Sequence, residues 1–165
     1  MTFAPRTWVV GEVVSAALLN QEIRDQFNTM FAAWTSYTPT WTAATSNPAL
    51  GNGTLVGRYI KWGRTVLFHV NLVMGSTTTY GSGAYSFDVP ATSANAGATF
   101  VGTAQLAATL RWAGQTLIIP NASVLTVFLS TSNANPTLTP MTGTAPVTLA
   151  STNQLRITGT YETAA

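Results

Sequence analysis

The chain contains no cysteine, so disulfides and thiolate metal sites are excluded. Histidine occurs once, at His69, and the acids number five. Zinc or iron sites need three or four clustered ligands, which this supply does not offer. Hydrolysis of a glycosidic bond needs two carboxyl groups a few ångströms apart. Beyond Trp34 the acids are only Asp88 and Glu162. A Ser–His–acid site would have to use His69, which lies mid-strand with Leu67 and Val73 and reads as a sheet histidine. The segment Gly51–Thr54 (GNGT) precedes a strand and not a helix, so it is turn chemistry and no phosphate loop. These shortages lead to the expectation of a non-enzymatic protein without metal or cofactor.

Charge is also scarce. Charged residues make up 7% of the 165 residues, against roughly 25% in an average globular chain. The polar surface must therefore be built from Thr, Ser, Asn and Gln, which suits a protein locked into an assembly. After Trp34 the cations Arg58, Lys61, Arg64, Arg111 and Arg156 are in mild excess, but no Lys/Arg run exists, which argues against nucleic-acid binding. No apolar run approaches the roughly 18 residues of a membrane span, and Met1–Gly11 has no apolar core of a leader peptide. Synthesis in a cytoplasm without export is the expectation.

What is present divides into two parts, 1–35 and 36–165. Residues 1–14 read as an irregular arm punctuated by Pro5 and Gly11, with Trp8, Val9 and Val10 as apolar candidates for docking, on a partner or back on the same domain. A helix follows, with Ser15 as N-cap. Ala16, Asn20, Ile23, Phe27, Met30 and Trp34 step by three and four, a heptad-like seam widened by Leu19 and Phe31. Such a seam packs either on its own domain or against copies of itself, with Asn20 setting the register in the second case.

From Tyr37 the period changes to two. Thr65–Met74 puts Val66, Phe68, Val70, Leu72 and Met74 on one face, and Gly63 joins it to Leu55–Ile60 as a hairpin. Further strands are expected at Ala84–Pro90, Ala98–Ala104, Ala107–Trp112, Gln115–Ile119, Ser123–Leu129 and Gln154–Tyr161, with a turn at Ala113–Gly114 and a long loop at Ser130–Pro140. Short strands at this spacing without intervening helices predict a mainly β protein, an antiparallel sandwich or jelly roll behind one amphipathic helix. Trp41, Tyr59, Trp62, Tyr80, Tyr85 and Trp112 serve either as core and rim or as sugar-stacking groups. The loop containing Thr77, Thr78, Thr79 and Tyr80 is the best ligand-facing candidate.

Thr7–Phe27 (TWVVGEVVSAALLNQEIRDQF) resembles the N-terminal segment of small minor tail and fibre-like virion proteins of actinobacteriophages. Asn47–Tyr59 (NPALGNGTLVGRY), WGRTV and Gly75–Pro90 resemble the β-domain that follows it there. The resemblance covers residues 7–92 and implies a surface-exposed virion component, commonly a homotrimer, attached through its N-terminal part. It brings no catalytic residues. It leaves tail or fibre subunit and capsid decoration as alternatives, with other virion proteins and a host-surface glycan as partners. A carbohydrate-binding module is a further alternative from outside that family.

Overall fold

The computed structural model describes residues 6–132 and 137–164. It is mainly β, an antiparallel curled sheet behind one short N-terminal helix. The strands are β1 (Thr35–Tyr37), β2 (Trp41–Ala43), β3 (Thr54–Trp62), β4 (Thr65–Val73), β5 (Tyr85–Asp88), β6 (Phe100–Ala107), β7 (Arg111–Ile118), β8 (Val124–Ser130), β9 (Leu138–Pro140) and β10 (Gln154–Glu162). Their order is β1-β3-β4-β10-β6-β7-β8-β5-β2, with β9 on β8. The terminal strands of this order, β1 and β2, are joined by Thr38–Pro39–Thr40. One short piece of chain therefore connects both ends of the sheet and holds it curled around a single core.

Alternation decides which side is core. Val66, Phe68, Val70, Leu72 and Met74 are all at most 2% exposed. Leu155, Ile157 and Tyr161 of β10, Leu106 of β6, Leu125, Val127 and Leu129 of β8, and Tyr85 and Phe87 of β5 meet them in one cluster. At roughly 1.5–3 kcal/mol for each large side chain buried, this cluster is the main source of stability. The hairpin β3–β4 turns through Gly63 and Arg64, since Trp62 pairs with Thr65. Gly63 has φ +56°, the left-handed value that the first central residue of such a tight hairpin favours.

Three expectations need correction. The turn placed at Ala113–Gly114 is the middle of β7, and the chain reverses instead at Ala108–Leu110. Gly114 belongs in a strand because Phe128 O and the Leu129 backbone of β8 lie where its Cβ would be. The helix stops at Met30, and Trp34 leaves the helical series. Part of the long loop, 133–136, falls outside the described residues, while Leu138–Pro140 pairs with β8.

The helix begins where expected: Ser15 Oγ accepts from Leu18 N at 3.3 Å. It is α-helical over Ala16–Leu19, widens to a π-helical turn over Asn20–Arg24, and is α-helical again over Asp25–Met30. In an α-helix a four-residue step overshoots one turn by about 40°. The wider turn takes up part of that drift between Asn20 and Arg24.

Candidate ligand-binding face

The residues that alternate with the core form the outward face of β3, β4, β10, β6 and β7. Register places them in rows across the strands. One row runs Val56, Asn71, Arg156, Gln105, Ala113. The next runs Arg58, His69, Thr158, Thr103, Gln115. Apart from Gln115, they line a shallow depression of about 800 Å³ that also takes in Gln154. Its lining mixes small residues, Ala113, Thr103 and Thr158, with guanidinium and amide groups.

The polar groups are ordered by one another. Arg156 donates to Gln154 Oε1 at 2.8 Å and to Gln105 Oε1 at 3.3 Å. Arg111 donates to the same Gln105 oxygen at 3.3 Å. A single neutral amide oxygen thus holds two guanidinium groups. Among the described residues the ion pairs are Arg6–Glu12, Arg24–Asp25 and Arg64–Glu162, and none involves Arg58, Arg111 or Arg156. Three of the five cations that follow the helix lie in or beside the depression, and neither of the two acids lines it. Asp88 lies on β5, four strands from β10, and Glu162 is held by Arg64 at 3.0 Å.

His69 is exposed on this face, and its ring stacks on Trp34 with centroids 4.3 Å apart and planes 12° apart. The reading of His69 as a sheet histidine omitted this partner, because Trp34 had been placed on the helix. The stack ties the segment after the helix to β4 at the edge of the depression.

The other expected site residues are scattered. Leu19, Ile23, Phe27, Met30 and Phe31 are all exposed, as are Ala16 and Asn20. Trp8, Val9 and Val10 are exposed too, with Val10 fully so. Arg6 lies over the Trp8 ring at 5.2 Å and pairs with Glu12, so the arm is curled beside the helix start. In the loop Gly75–Gly83 the threonine hydroxyls are engaged internally. Thr77 and Asn52 exchange bonds between side chains and backbone, at 2.9 Å each. Buried Thr78 donates to Leu50 O at 2.6 Å, and Thr79 Oγ1 accepts from Ala49 N at 3.1 Å. These bonds staple one loop to its neighbour at Ala49–Asn52. Tyr80 O accepts from the buried Tyr85 hydroxyl at 2.6 Å, and burial pushes the pKa of both phenols up. Of the aromatics, Trp41 and Tyr85 are core, Tyr59 and Trp112 pack against it, and Trp62 is exposed.

Sequence reading missed Arg58, Asn71, Gln105, Gln154 and Arg156. The available signal was weak: Gln154, Arg156, Thr158 and Thr160 are the polar half of an alternating strand. No helix among the described residues is long and apolar enough to cross a membrane. No protein-family model, curated protein or solved structure matches the chain.

Proposed function

We propose that this chain is a non-enzymatic bacteriophage virion subunit, displayed on the particle surface as a homotrimer and acting as a minor tail or fibre subunit that meets the host surface. The observation that carries the reading is the apolar N-terminal segment. Trp8, Val9, Val10, Val13, Val14, Leu19, Ile23, Phe27, Met30 and Phe31 are each more than 40% exposed, ahead of a β-domain whose core is already complete. Soluble monomers rarely leave so much contiguous apolar surface bare. A helix of four turns or fewer is marginal by itself. Copies brought side by side by their β-domains would bury the Leu19–Ile23–Phe27 line against one another, leaving the arm for attachment to the particle.

Light scattering on the full chain and on a chain starting at Ser36 tests this. The full chain is expected to have the mass of a trimer and the shorter one that of a monomer. Phe27→Asp should likewise yield monomers, since an unpaired carboxylate in the shared seam costs several kcal/mol. Trimers that survive this substitution would remove the helix from the assembly joint. A full chain that is monomeric would favour a decoration protein whose arm is covered only on the capsid.

A further inference from the structure

We infer that the depression on the outward face of β3, β4, β10, β6 and β7 binds an acidic oligosaccharide built of carboxylated pyranose units, with Arg58 and Arg156 as the carboxylate-binding groups. The inference rests on the reading of the chain as a displayed, host-contacting subunit, and it names the class of molecule contacted. Charge is the first argument. In a protein with seven cations, three on this face have no carboxylate partner among the described residues, and two of them share one amide oxygen. A guanidinium binds a carboxylate through two parallel N–H bonds; Arg58 has no such partner, and Arg156 donates only to the neutral amides of Gln105 and Gln154. The Arg58 side chain makes no hydrogen bond or ion pair with any described residue.

Spacing is the second argument. Arg58 and Arg156 lie two strands apart, about 10 Å across the sheet. At that spacing of their strands each arginine can meet its own carboxylate on one oligosaccharide. Between the two arginines, on β4, the surface offers Asn71, and Thr158 and Gln105 flank Arg156 on β10 and β6; these groups both donate and accept and so match sugar hydroxyls. A nucleic acid fits less well, since a tracked phosphate backbone calls for a longer basic groove. The face is also pre-formed: its groups stand on paired strands, so little ordering is needed on binding.

The test is calorimetry on the full chain with tetragalacturonate, maltotetraose and sodium sulfate at matched ionic strength. Tetragalacturonate is expected to bind, with maltotetraose and sulfate each about tenfold weaker or more, the effect of losing one charge-assisted hydrogen bond. Arg58→Gln and Arg156→Gln should each weaken tetragalacturonate binding by about the same factor. Arg156 bonds to its neighbours, so Arg58→Gln, which breaks no internal bond, decides the matter if Arg156→Gln fails to fold. Equal binding of maltotetraose would show that charge plays no part, and equal binding of sulfate would show a bare anion site. Either result, or no binding, or binding untouched by Arg58→Gln, overturns the inference. Light scattering on the same samples keeps the two readings apart. A monomer that binds tetragalacturonate would sink the assembly and keep the site, and a trimer that does not bind would do the reverse.

Discussion

Tyr161 carries more of the structure than its place near the end of the chain suggests. Its hydroxyl donates to Ala91 O at 2.7 Å and accepts from Ala91 N at 3.0 Å. Its ring meets Phe68 edge-on at 5.7 Å. Burial pushes its pKa up to about 12, against the opposing pull of the Ala91 N–H, which favours the phenolate. Burial raises Tyr37 and Tyr85 as well. A phenol raised in the folded state keeps its proton after the unfolded chain has lost it, which begins near pH 10. In that window the unfolded chain binds fewer protons, so stability falls as pH rises. The urea midpoint is therefore expected to hold steady from pH 7 to about 9 and to decline from about pH 10 upward. Tyr161→Phe should begin from a lower midpoint, having lost both Ala91 bonds, and should decline less steeply. A midpoint unchanged up to pH 11.5 would show that these phenols ionise without unfolding the protein.

Among the elements, the β3–β4 hairpin was the most legible. Its apolar residues alternate without a break, and Gly63 marks the turn. The β6–β7 hairpin was misplaced because Gly114 was read for its freedom and not for its smallness. The same smallness serves at Gly57, where the Tyr37 ring of β1 lies where a Cβ would be. Register is a different kind of information. Arg58, His69, Gln105 and Arg156 are far apart in the chain, and only strand pairing brings them to one face. Nothing in their own neighbourhoods signals the others. Trp34 belongs to this category too, since its partner His69 is 35 residues away along the chain. An aromatic stack of this kind contributes about 1 kcal/mol. Trp34→Ala should therefore free the segment after the helix and speed chymotryptic cleavage at Phe31 about fivefold, with cleavage following the open population. An unchanged cleavage rate would mean that contacts other than the Trp34–His69 stack hold this segment.

At the scale of the whole molecule, the last strand made is placed near the middle of the sheet. β10 pairs with β4 along its full length and with β6 over Gln154–Thr158. It also supplies Leu155, Ile157 and Tyr161 to the core. A chain ending at Asn153 is expected to lack a cooperative thermal transition in far-ultraviolet circular dichroism, and retention of that transition would show that β4 and β6 can pair without β10. The joining of the sheet's two ends by Thr38–Pro39–Thr40 has a consequence of another sort. A sheet rim with free N–H and C=O groups invites strands from other molecules, and many β proteins guard it with lysine or glutamate. This chain has little charge to spend on such guards. Its rim strands β1, β2 and β9 are three residues each, and Pro39 between β1 and β2 is buried and has no N–H to offer. Shape takes over the guarding, so copies crowded side by side can keep their strands to themselves.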